Sequence, residues 1–231
     1  MTQSAKATSV FGEVEQLPLA QRAAASVREA ILAGALAPGA QLVEADMAEQ
    51  MKISRAPVRE ALRVLEEEGL VERIPYKGAF VTRLTQDDIR ELYSLRSVIE
   101  SYSARLAAGH ASAESVAALE SIVEEMMQAA EAGDLERVTE LDLRFHRAVC
   151  ELACHRLLLQ VWHGLEQKIR LILAMRHRLH REIVDIVEMH RPLLAAIRAG
   201  DGETAARHMV EHIVSAGEFL LSDPAYQESA Q

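Results

Sequence analysis

All nine histidines of this 231-residue chain fall after residue 84. Asp142 and His146 are four apart, so on a helix they face the same way, while His190 and His212 belong to later segments. One carboxylate and three neutral imidazoles suit a divalent metal, with coordination positions left for water or a ligand. Spacing alone is weak evidence, because nine histidines supply chance clusters readily and a single helical histidine is usually a surface or satisfied core residue. His208 stands one turn before His212 and competes with it as the last ligand. The run His208-Met209-Val210-Glu211-His212 also spells the H-x-x-E-H of inverted zinc proteases, which makes a metal-dependent hydrolase an alternative reading. Such enzymes need a third ligand well downstream, and only nineteen residues follow His212. No Ser-His-Asp set, phosphate-binding loop or nucleotide fingerprint occurs elsewhere, so no catalytic residue is assigned.

A second chemistry lies upstream. Ser54 is a good N-cap and Pro57 falls in the first turn after it, where a missing N–H removes no helical hydrogen bond. Val58, Leu62 and Leu65 then form an apolar stripe, and Arg55, Arg59 and Arg63 form a cationic ridge displaced from it, with Lys52 just before. Leu70 to Ile74 and Ala79 to Thr82 alternate as strands around Pro75-Tyr76-Lys77-Gly78, a hairpin with a basic tip. A cationic helix face by itself is usually only solvated. Order decides here: Leu19, Ala23, Val27 and Ile31 mark a first helix, and Leu42, Met47, Ala48 and Met51 a short second one. Three helices and a hairpin describe a winged helix-turn-helix whose third helix enters the DNA major groove.

The elements that carry these residues divide by charge. Residues 17–84 hold nine basic and nine acidic side chains, residues 1–16 one Lys and two Glu, and residues 85–231 the remaining −9 of a net −10. The expected organisation is a tail over 1–16, a winged helix-turn-helix over 17–84, an all-helical bundle over 85–221 and a second tail over 222–231. With 49% apolar and only 4% aromatic residues, the chain folds as a mostly α protein with two modules. Thr85 with Asp88 makes a capping box. Helical patterns follow over 85–108, 112–132, 134–153, about 155–180, about 182–199 and 201–221, with Pro192 predicting a kink or an irregular turn near Glu188. No apolar run approaches the ~20 residues of a membrane helix, so a cytoplasmic location and no membrane partner are expected. Cys150 and Cys154 read as small buried hydrophobes, and the basic run Arg176–Arg181 as a solvated helix end.

The segments Leu42 to Gln50, Ile53 to Leu62, Leu65-Glu66, Glu68 to Val71 and Gly78 to Val81 together resemble the GntR family of bacterial transcription regulators. Leu92 to Glu100, Asp142 to His146, Glu188 to Leu193 and His212 resemble the helical effector-binding (FCD) domain of its FadR-type branch. The first resemblance implies that Arg55 and Arg59 reach guanine edges, that Ser54 and Lys52 reach phosphates, and that Lys77 and Gly78 reach the backbone or minor groove; Arg63 extends the same surface. Arginine suits guanine because its planar fork donates to O6 and N7 together. Ala56 stands where the family often has Thr, which removes one polar contact. The second resemblance implies a divalent metal on Asp142, His146, His190 and His212, with zinc first and nickel, manganese or iron compatible, beside a pocket where Arg96 faces a small carboxylate. Cys154-His155 replaces the Gly-Asn usual after the third helix of that domain. The implied protein is a homodimeric, effector-responsive regulator, usually a repressor, on an inverted-repeat operator. A helical half that only dimerises is the other alternative.

Overall fold

In the computed structural model, which describes residues 18–174 and 180–222, the chain is helical apart from one small sheet. Helix α1 (Leu19–Leu32), strand β1 (Gln41–Leu42), α2 (Glu44–Met51), α3 (Arg55–Glu67), β2 (Val71–Ile74) and β3 (Gly78–Val81) form the amino-terminal unit. α1 buries Ala23, Ala24, Val27 and Ile31, and α3 buries Val58, Ala61, Leu62 and Leu65. Fully burying a Val, Leu or Ile side chain contributes about 1.5–3 kcal/mol, so Val27, Ile31, Val58, Leu62 and Leu65 are a substantial part of this module's cohesion. A bidentate pair between Arg28 and Glu68, at 2.6 and 2.9 Å, ties α1 to the end of α3. The sheet order is β1-β3-β2, all antiparallel, with Arg73 opposite Ala79 and Leu42 opposite Ala79 from the other side.

That third strand corrects the sequence reading of Leu42 as part of the second helix: Leu42 sits in β1, and α2 begins at Glu44. β3 needs a second neighbour, and two residues of extended chain suffice to cap its free edge.

The carboxy-terminal unit consists of α4 (Gln86–His110), α5 (Ala113–Ala132), α6 (Leu135–Leu152), α7 (Arg156–Ala174), α8 (His180–Glu188), α9 (His190–Arg198) and α10 (Gly202–Ser222). The capping box at α4 is formed, with Thr85 N donating to Asp88 at 2.7 Å and Asp88 N to Thr85 Oγ1 at 3.2 Å. α4 and α10 pack closely because Gly217 has no side chain: a Cβ there would lie 3.0 Å from the Tyr93 ring. The fifth helical segment is two helices broken at Met189, so of the two expected forms the irregular turn is found and not a kink within one helix. Pro192 then occupies the first turn of α9, where its missing N–H costs nothing, and its ring bars a continuous helix through Glu188. The fourth segment is described only to Ala174; the reading of Arg176–Arg181 and those of the two tails fall outside the described residues or their described side chains.

Cys150 is buried and free, but Cys154 is exposed and lies beyond the end of α6, which corrects its reading as a buried hydrophobe. Its φ is 52°, a left-handed conformation that glycine adopts without strain, so the backbone geometry expected of Gly is kept here by a cysteine.

Candidate metal centre and nucleic-acid interface

α6 carries Asp142 and His146 on one face, the break before α9 turns His190 inward, and α10 supplies His212. One donor atom from each of the four lies within 4.8 Å of every other. All three imidazoles are at most 2% exposed. His190 Nε2 lies 3.5 Å from Asp142 Oδ1, and His146 Nε2 3.8 Å from the same oxygen. His146 Nε2 and His212 Nε2 are 3.1 Å apart. Two ring nitrogens do not approach so closely without a proton or a cation between their lone pairs. The Phe145 ring stands edge-on to His190 at 4.8 Å and to His146 at 5.8 Å, which holds both rings in place.

The outer nitrogens decide which lone pairs face inward. His190 Nδ1 lies 3.0 Å from the Val187 carbonyl, so it donates and leaves Nε2 as the acceptor. His146 Nδ1 lies against Glu100. Burial, followed by the neighbouring His190 and His146, pushes the His212 imidazolium well below its ordinary range, so the ring is neutral near pH 7. Burial raises the Asp142 carboxyl, but the three surrounding imidazoles outweigh it and hold the group ionised. An ionised Asp142 and a neutral His212 are protonation states that metal ligation requires, and the buried His190 Nε2 and His212 Nδ1 have no hydrogen-bond partner. The residues present therefore fit a divalent ion. His208 lies outside this cluster and pairs with Glu211 of its own helix at 3.0 Å, so the H-x-x-E-H segment sends only His212 inward.

Arg96 on α4 is buried beside this set and lines a cavity with Asp142 and His212. The cavity measures about 20 Å³, room for one water, so a larger ligand must displace its walls. Its Thr139 and Leu173 also line a wide cleft of about 770 Å³ between α1, α6 and α7, where the two units meet. Arg96 Nε donates to Glu100 Oε1 at 2.7 Å, and the guanidinium stacks 4.8 Å from the Tyr93 ring. Burial raises the Glu100 carboxyl, yet Arg96 and His146 together bring it down to about 2. Sequence reasoning missed Glu100: an Arg and a Glu four apart on a helix read as an exposed pair, and only burial of both reveals otherwise.

In the amino-terminal unit, Lys52, Ser54, Arg55, Arg59 and Arg63 are all exposed around the start of α3. Ser54 occupies the N-cap position without a side-chain capping bond. Arg59 pairs with Glu44 of α2, and Arg63 with Glu60 and Glu67 of its own helix. At the hairpin tip Lys77 N donates to Ile74 O at 3.0 Å, and Gly78 has φ 109°. Tyr76 beside them is fully exposed at φ 64°, an aromatic that the sequence reading left without a role.

The comparisons agree with this architecture. The description "Bacterial regulatory proteins, gntR family" matches residues 19–81, and "FCD domain" matches residues 91–215. The "Probable D-xylose utilization operon transcriptional repressor" of Paenarthrobacter nicotinovorans is 35% identical over 80% of this chain and 81% of that protein. The "Gluconate operon transcriptional repressor" of Bacillus licheniformis is 31% identical over 78% of this chain and 76% of its own. Among solved structures, E. coli McbR/YncC superposes with a TM-score of 0.75 at 25% identity, covering 92% of this chain and 99% of that one. A putative GntR regulator from Rhodococcus sp. RHA1 gives 0.74 at 27% identity, over 87% of this chain and 97% of that one. With a winged helix-turn-helix followed by a helical FCD domain, the chain belongs to the GntR family of transcriptional regulators, and not to an enzyme family.

Proposed function

We propose that the protein is a homodimeric repressor that binds an inverted-repeat operator and releases it in response to a small carboxylate. The observation that carries the sensing half is the convergence of Asp142, His146, His190 and His212 beside a cavity containing Arg96. In this reading those four residues hold a divalent ion, zinc first, and Arg96 attracts the anion. A bound divalent ion supplies positive charge and open coordination positions in a module of net −9. The relatives that repress xylose and gluconate operons support a sugar-derived metabolite as the effector class. A thermal-shift screen of sugar acids and other small carboxylates, with and without zinc, nickel, manganese or iron, tests it. The expected result is a carboxylate-dependent rise in Tm that needs the metal.

In the DNA-reading half, Arg55 and Arg59 contact guanine edges, Lys52, Ser54 and Arg63 flank them, and Lys77 and Gly78 meet the backbone beside the wing. No described helix is long and apolar enough to cross a membrane, which supports a regulator working on DNA in the cytoplasm.

For the dimer, α4 supplies the face. Leu95, Val98 and Tyr102 are exposed at helical spacing, and α7 adds exposed Leu157 and Val161. Between Glu91 and Arg105 the exposed residues of α4 carry no charge, because Arg96 and Glu100 both turn inward. In an isologous contact, residues near the two-fold axis meet their own copies, so an acidic module pairs best with a second copy through such an uncharged strip.

A further inference from the structure

Glu100 is a wholly buried carboxylate whose two oxygens serve different neighbours. Oε1 accepts from Arg96 Nε at 2.7 Å, and Oε2 faces His146 Nδ1. Arg96 lines the cavity, and the opposite nitrogen of His146 faces Asp142 and His212. Burying a charged carboxylate is costly unless its oxygens are answered. Here the answers come from α4 and α6, and they end on the cavity cation and on a member of the donor cluster.

The geometry points to Glu100 as a positioning residue that makes the metal set and the anion cavity one thermodynamic unit. This rests on the sensor reading above. Glu100 Oε2 lies against Nδ1 of His146, and a proton kept on Nδ1 by that carboxylate leaves Nε2 to a divalent cation. A cation at Nε2 polarises the ring, so Nδ1–H takes a larger share of the Glu100 charge. Arg96 is then less neutralised and attracts a carboxylate more strongly. By linkage, a carboxylate at Arg96 tightens the cation to the same degree.

Glu100→Gln separates this from a role in folding alone, because the two ligands respond with opposite sign. Zinc, titrated against a chromophoric chelator, binds about 10–100-fold more weakly than in the wild-type protein. Acetate, followed by thermal shift on metal-free protein, raises the Tm of the variant where it leaves that of the metal-free wild type unchanged, since Arg96 has lost its neutralising partner. General damage to the bundle weakens both. Arg96→Gln gives an independent reading: Glu100 then serves His146 alone, and zinc binds at least as tightly as in the wild type. Wild-type zinc affinity in Glu100→Gln with unchanged acetate binding, or weakened zinc in Arg96→Gln, overturns the linkage while leaving the sensor standing. A wild-type protein that takes up no zinc, nickel, manganese or iron overturns both.

Discussion

Arg59 and Glu44 hold one another across the helix-turn-helix, with Nη2 of the arginine 3.0 Å and Nε 3.1 Å from the same carboxylate oxygen. The hydrogen bond from Arg59 keeps the Glu44 carboxyl below its ordinary range, so the acid stays ionised and competes with any base edge for the guanidinium. Both side chains are partly exposed, so the pair opens at little cost.

Arg59→Ala therefore abolishes operator preference, because a lost bidentate guanine contact costs ~1–3 kcal/mol. Gel shifts on operator and random DNA at matched salt check it. A mutant that still discriminates as well as wild type assigns base reading to another helix. Glu44→Gln frees the arginine and raises affinity for random DNA more than for operator, since removing an acid near phosphates acts without regard to sequence.

Lys77→Ala weakens operator and random DNA binding alike. A phosphate contact carries no sequence information, and losing one flattens the slope of log affinity against log salt by about 0.9. Titrations at several salt concentrations read this slope. A loss confined to one base pair contradicts the phosphate role.

His146→Ala and His190→Ala keep the fold and the dimer but lose the metal, and they bind operator without responding to effector. Elemental analysis and operator titrations follow the two effects separately. Stoichiometric metal and a normal response in both mutants would identify these rings as ordinary core residues.

Val98→Asp places two carboxylates near one another across the proposed two-fold axis, where like charges cost several kcal/mol. The dimer dissociation constant rises about 100-fold or more, measured by analytical ultracentrifugation. Operator binding then falls to that of a half-site. An unchanged dimer moves the interface away from α4.

Local chemistry made much of this fold legible. Pro192 announced a break before α9, Thr85 and Asp88 announced the start of α4, and the arginine ridge on α3 followed from helical spacing. β1 was not legible, because two residues have no periodicity and become a strand only when β3 lies beside them. Asp142 and His146 were paired by their spacing, whereas His190 and His212 came from resemblance, since only tertiary packing places α9 and α10 against α6. The inward turn of Glu100 left no mark in the sequence. The same Arg and Glu four apart on a solvent-facing helix would look identical.

The contrast in exposure between the two functional regions makes ionic strength a way to address them separately. Mobile ions damp fields in water over a Debye length of about 8 Å at physiological salt, but they do not enter a packed interior. Lys52, Arg55, Arg59 and Lys77 stand at the surface, whereas Arg96 and Glu100 have side chains at most 3% exposed. In the proposed reading, raising potassium chloride therefore strips the protein from DNA steeply while the attraction of buried Arg96 for a carboxylate persists. For a regulator working as proposed, cells that accumulate salt under osmotic stress would change how much operator is occupied without recalibrating the response to its effector.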